Sequence, residues 1–212
     1  MDLPNPPVKD HPPRFFDNLR NLPGFTTIEL SSPHYSEPRM QFTGPNGQVE
    51  MFPTTSGVDM TCFMIESLDQ FDTSRTEQLA IDHGSSPSSN IPFRALLRMK
   101  HLRTLTLRLC ANSHAFVRAL HPNMSPSGVL ICPKLEELVI VLDWMALDMT
   151  SVIGVVAARA SRGSKLKSIR IVGSEPVRAN LLEQLEKHVL HVEYVPWVDE
   201  AKDNGDDIDE KD

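Results

Sequence analysis

The sequence predicts an α/β fold in which short parallel strands alternate with helices, and three observations carry that expectation. The first is an apolar skeleton of the form Leu-x-x-Leu-x-Ile. It occurs at Leu135, Leu138 and Ile140, and again at Leu102, Leu105 and Leu107 and at Leu166, Ile169 and Ile171. The second is the spacing: 33 residues separate Leu105 from Leu138, and 31 separate Leu138 from Ile169. The third is the helical periodicity of the stretches between copies. In each copy the last two apolar residues alternate as a strand requires, so both face one buried side. The first, three residues earlier, adds another apolar knob where the chain turns in. Short connections from strand to helix to strand make successive strands parallel.

This skeleton is the strand signature of a leucine-rich repeat, and a unit of this length suits variants whose outer side is a full helix. The expected architecture is a solenoid with parallel strands on the concave face and helices on the convex face. Its N-terminal half should be irregular, because 51 residues separate Ile28 from Leu79. The domain is expected over residues 13–198, between a disordered proline-rich arm (1–12) and a disordered acidic tail (199–212).

Taken in order, Pro13–Arg20 can form two helical turns with Phe15, Phe16 and Leu19 inward. Leu22, Phe25, Ile28 and Leu30 form a degenerate first repeat ending in a strand over Thr26–Leu30. Met40–Phe52 predicts a hairpin, with apolar alternation on both sides of Asn46-Gly47, a pair that tolerates positive φ. Val58–Ile65 reads as a further strand, followed by a short helix at Leu68 and Phe71. Arg75–Ile81 supplies the next repeat strand, with Leu79 and Ile81 buried; Gly84–Asn90 is a loop. Asn90 can cap a helix carrying Phe93, Leu96, Leu97 and Met99. Asn112 or Ser113 caps one carrying Ala115, Phe116, Ala119 and Leu120, which Pro122 stops. The longest helix runs from about Thr150 to Arg162, with Val152, Val155, Val156 and Ala160 on one face and Gly163 as its left-handed stop. Pro176 opens a last helix through Val177, Leu181 and Leu185, and Val189–Val195 is the final strand.

Composition narrows the function classes. A chain of 212 residues, 40% hydrophobic, can bury a substantial core. A net charge of −7 argues against nucleic acid and anionic membranes as partners. No apolar run approaches the roughly 20 residues that span a bilayer. The acidic, proline-rich start is unlike a signal peptide, so an intracellular protein, cytoplasmic or nuclear, is expected. Three scattered cysteines, Cys62, Cys110 and Cys132, imply no disulfide framework; Cys110 and Cys132 read as small buried hydrophobes.

Three stretches look like the fungal F-box proteins of mushroom-forming species: 71–82, 128–140 and 157–171. The run Gly128-Val-Leu-Ile-Cys-Pro-Lys-Leu-Glu-Glu-Leu-Val-Ile140 carries the likeness best. The sequence resembles the leucine-rich-repeat region of that family over most of residues 13–198. The resemblance implies a substrate receptor of a ubiquitin ligase, whose repeats hold the substrate while an F-box recruits a Skp-type adaptor. The first 30 residues hold no Leu-Pro-x-Glu opening of a helical F-box, so adaptor binding is expected only of a longer product that carries one.

No catalytic motif emerges. Nucleophile elbows, phosphate loops and dinucleotide fingerprints need glycine spacings that the chain lacks. Gly163-Ser-Lys165 leads into a strand, not a helix, and the histidines and cysteines show no zinc-ligand spacing. The acidic tail places lysines where a calcium loop needs carboxylates. No catalytic residue, metal or cofactor is therefore expected. The one basic cluster, Arg159, Arg162, Lys165, Lys167 and Arg170, suits either an anion site or a solvated helix end.

Strand alternation picks out a partner-binding surface instead. With Leu105 and Leu107 inward, Thr104, Thr106 and Arg108 face the concave side. By the same rule so do Val139 and Val141, Arg170 and Val172, and His191 and Glu193. Trp144 and Trp197 are candidate anchors, Trp197 the more open of the two. The expected function is a non-enzymatic protein-interaction module with an unidentified protein partner. The alternative is a structural remnant or oligomerisation domain without a substrate.

Overall fold

The computed structural model describes residues 24–32, 37–52, 60–83, 91–109, 114–125, 128–142, 148–174 and 176–197. Expectations for the arm, the 13–20 helix, the 84–90 loop, the caps Asn90, Asn112 and Ser113, Cys110, Trp144 and the tail lie outside these residues.

Eight strands form one open sheet: β1 (Thr27–Ser32), β2 (Arg39–Gly44), β3 (Gly47–Met51), β4 (Gln78–His83), β5 (Thr104–Leu109), β6 (Glu137–Leu142), β7 (Ser168–Gly173) and β8 (His191–Pro196). Their spatial order is β3-β2-β1-β4-β5-β6-β7-β8. β1 and β4 through β8 run parallel, while β2 and β3 add an antiparallel hairpin. Five helices accompany them among the described residues: α1 (Met60–Ser67), α2 (Ile91–Arg98), α3 (His114–Ala119), α4 (Met149–Ser161) and α5 (Ala179–Glu186). Each helix packs on the next in chain order.

The apolar skeleton becomes two continuous rows across the sheet. Ile28, Leu79, Leu105, Leu138, Ile169 and Val192 are register partners, as are Leu30, Ile81, Leu107, Ile140, Ile171 and Tyr194. All but Val192 and Tyr194 are buried, together with the preceding knobs Leu102, Leu135 and Leu166. Each such side chain contributes about 1.5–3 kcal/mol of hydrophobic stabilisation. A second regularity is polar. At the four junctions from β1 to β7, one carbonyl just before a strand accepts two successive N–H groups from the next unit, whereas at β8 the Leu190 and His191 N–H groups go to separate carbonyls, those of Leu166 and Lys167. Thr26 receives Glu77 and Gln78, Glu77 receives Arg103 and Thr104, Arg103 receives Glu136 and Glu137, and Glu136 receives Lys167 and Ser168, at 2.7–3.1 Å.

The hairpin forms with its turn at Pro45-Asn46, and Gly47 takes φ +128°. Its Phe42 stacks between Phe25 and Phe71, with ring centroids 4.9 and 4.7 Å apart, which joins the hairpin to the core. Gly163 ends α4 at φ +79°, with Ser164 N–H reaching back to the Arg159 carbonyl and Gly163 N–H to that of Ala160. Only a residue without a Cβ adopts that left-handed stop without strain.

Two expectations are corrected. The strand expected over Val58–Ile65 is the helix α1, which packs on β1 and α2. Short apolar runs do not distinguish strand from helix. The chain must pass from the hairpin edge back over the sheet to β4, and a crossover helix fills that role. Met64, Ile65, Leu68 and Phe71 are buried at the helical spacing this requires. Leu97 is 41% exposed, because Ala95, Leu96 and Met99 occupy the inner side of α2. Pro176 does not open the last helix. Arg178 is still extended (ψ 132°), so α5 begins at Ala179, although Val177 packs on the core.

Candidate interaction face

The strand residues that alternate with the buried rows form the face opposite the helices, and the register sets them side by side. One row runs Gln78, Thr104, Glu137, Ser168, His191; the next Ala80, Thr106, Val139, Arg170, Glu193; the third Asp82, Arg108, Val141, Val172, Val195. All nine residues expected on this face are therefore brought onto it. Arg108, Arg170, His191 and Glu193 are exposed, and Thr104, Thr106, Val139 and Val172 are partly so. Val141 departs from the expectation that it is available, being only 8% exposed.

The charged residues of the face are paired along the strand-to-strand direction. Arg108 meets Asp82 at 3.3 Å, Arg170 meets Glu193 at 3.3 Å, and the Thr104 hydroxyl donates to Glu137 at 3.3 Å. These half-exposed pairs are worth little in stability, but they fix where charge is presented. Trp197 follows β8 and anchors its N–H on the Gly173 carbonyl at 2.9 Å. Its ring centroid lies 5.7 Å from the Arg108 guanidinium, three strands away. Strands stand about 4.8 Å apart, so the two side chains meet by lying along the sheet across β6 and β7. That path passes the row of Val141 and Val172. Trp197 is 37% exposed, held against the face by a cation–π contact.

The basic cluster read from the sequence does not converge. Lys167 pairs with Glu136 at 2.9 Å, and Arg170 joins the open face. The Lys167 ammonium, through its hydrogen bond, holds the Glu136 carboxyl below its ordinary value. Arg162 donates to the Gly128 carbonyl and the Asn123 side chain, both at 3.1 Å. Arg159 is fully buried. Its Nη1 donates to the Ile131 carbonyl at 2.7 Å, and its Nη2 to the Cys132 carbonyl at 2.8 Å and the Ser164 hydroxyl at 3.1 Å. Sequence reasoning missed this role, although position 159 continues the i, i+3, i+4, i+7 series from Val152, Val155 and Val156. Burial lowers the Arg159 pKa, opposed by the neighbouring Cys132.

Cys132 sits at φ +46°, a left-handed value costly for a residue with a Cβ. The guanidinium that takes its carbonyl and the preceding one holds that turn in place. Its thiol is buried as expected and donates to the Leu96 carbonyl at 3.3 Å. Burial pushes its pKa from 9.0 up to about 12. A raised folded-state value means that stability is full below pH 9 and falls as pH rises toward 12, by up to about 1.4 kcal/mol per pH unit. Thermal midpoints measured from pH 7 to 11 should therefore drop more steeply above pH 9 for the wild type than for Cys132→Ala. Parallel curves would show that this thiol does not carry the alkaline loss.

A groove of about 310 Å³ between α3 and α4 is lined by Arg118, His121, Met124, Ser151, Gly154 and Val155 and shares no residue with the face. Among the described residues, no group of three His, Cys, Asp or Glu side chains is placed to hold a metal ion, and no helix is long and apolar enough to cross a membrane. No family model, curated protein or solved structure matches the chain.

Proposed function

We propose that this chain is a non-enzymatic protein-interaction module, a leucine-rich-repeat solenoid that holds a protein partner on its open sheet face in the manner of F-box substrate receptors. The observation that carries this reading is the face itself. Among the described residues, helices cover one side of the sheet, and five parallel strands in matched register line up threonine, valine and paired charges on the other. Side chains on rigid strands lose little freedom on binding, so such a face suits recognition of an extended protein surface. The carbonyl-to-double-N–H contacts, repeated at the four junctions from β1 to β7, support the solenoid reading, because those units dock on their predecessors in the same way.

A paired-bait experiment tests the proposal. The wild-type chain and a Thr106→Arg/Val139→Glu variant are presented to cell extract, and bound proteins are read by mass spectrometry. The variant alters the centre of the face but keeps net charge and places its new charges opposite each other across β5 and β6. The expected result is a partner retained by the wild type and lost by the variant at unchanged circular dichroism. A partner held equally by both baits would move recognition off this face. Recovery of a Skp-type adaptor by this chain would assign it an adaptor-binding segment as well.

A further inference from the structure

We propose that β8 is a self-association edge, through which two copies of this chain pair antiparallel about Val192 and continue one sheet across a two-fold axis. β8 is the last strand of the sheet, and among the described residues β7 is its only strand neighbour. The N–H groups of His191 and Trp197 reach β7, on the carbonyls of Lys167 and Gly173, both at 2.9 Å. Backbone groups alternate sides along a strand, so those of Val192 point away from β7 toward the open edge.

The choice of a second copy rests on self-complementarity. In a two-fold contact the strand meets its own sequence reversed, so whatever precedes the pivot faces whatever follows it. About Val192, His191 faces Glu193 of the other copy twice, and Leu190 faces Tyr194. A pivot at Glu193 would set two carboxylates against each other, and one at Tyr194 would leave His191 opposite Trp197. Of these three, only the Val192 pivot sets an imidazole donor against a carboxylate acceptor and apolar against apolar. The His191–Glu193 pairs fall at non-hydrogen-bonded positions, where facing side chains approach most closely. Pro196, which has no N–H to give, lies four residues from the pivot, opposite position 188 beyond the strand.

The apolar end of the molecule agrees. Val177, Leu181, Leu182, Val192 and Tyr194 pack on the core yet remain only partly buried, and Leu190 is 72% exposed. A stacked unit leaves such a layer uncovered unless something caps it, and the same layer of a second copy is an apolar cap of matching extent. Glu193 already holds Arg170 at 3.3 Å, so pairing would place each carboxylate between its own Arg170 and the other copy's imidazole.

The test is the mass of the full chain by light scattering over a concentration series, for the wild type, His191→Glu, Glu193→Lys and an equimolar mixture of the two variants. His191→Glu sets carboxylates opposite each other twice, and Glu193→Lys removes the acceptor that faces each imidazole and puts an ammonium donor there, so each variant alone should weaken dimerisation about tenfold. In a mixed dimer the two substituted positions face each other with opposite charges, and the unaltered His191 and Glu193 face each other at the second pair. The dimer should therefore return in the mixture. Circular dichroism confirms that both variants fold. A wild type that stays monomeric at every concentration overturns the proposal, as does a dimer that neither variant weakens. Weakening without recovery in the mixture overturns the Val192 register. His191 and Glu193 also belong to the open face, so recovery in the mixture, which follows from the Val192 register alone, is the outcome that separates edge pairing from binding on that face.

Discussion

Replacing Arg159 with leucine should lower the stability of the fold by about 3 kcal/mol, read as a fall in the urea midpoint at constant slope. The guanidinium bridges the carbonyls of Ile131 and Cys132 and the Ser164 hydroxyl from within the core. Leucine would fill part of the space but leave the buried Ile131 carbonyl without a donor, at roughly 1–3 kcal/mol, and take the charged donor from the Cys132 carbonyl, which keeps only the Leu135 N–H at 3.0 Å, and from the Ser164 hydroxyl. Part of that loss is offset, because no charge then has to be buried. Lysine keeps the charge but not the fork, so Arg159→Lys should recover only part of the difference. The same change releases the left-handed turn at Cys132, so amide exchange should quicken first over 128–136. A leucine variant as stable as the wild type would mean that water replaces the guanidinium without cost.

Leu138→Asp should do more. Leu138 is fully buried between Leu105 and Ile169 in the middle of the parallel sheet. A carboxylate there has no partner, and losing the side chain alone costs about 2–5 kcal/mol before the charge is counted. The expected outcome is loss of the cooperative thermal transition for the units that contain β6, β7 and β8, with their amides unprotected from exchange. A transition at the wild-type temperature would remove the assignment of Leu138 to the core row.

What the sequence makes legible follows from how strongly each signal is repeated. Leu105, Leu138 and Ile169 are readable because three copies of one skeleton at near-equal spacing leave little other interpretation. The hairpin is readable from Asn46-Gly47. The segment Met60–Ser67 is not, because eight mostly apolar residues satisfy strand and helix alike, and only the need to cross back to β4 decides between them. The outward residues of β5 to β8 follow from alternation alone. What alternation cannot supply is the lateral reach of Trp197 toward Arg108, which depends on side chains three strands apart. Arg159 is misread because charge suggests solvent, whereas its helical position already assigns it to the core.

The carbonyls shared at successive junctions from β1 to β7 have a consequence for how this chain can change. The distance from one row residue to the next is 26 residues from Leu79 to Leu105, 33 from Leu105 to Leu138, 31 from Leu138 to Ile169 and 23 from Ile169 to Val192. The strands nevertheless meet in one uninterrupted register. Alignment is thus set locally at each junction and is blind to the length of chain spent in between. Insertions and deletions in those connections leave the strand pairing intact, so descendants of this chain can vary their helices and loops freely while passing on an unaltered sheet.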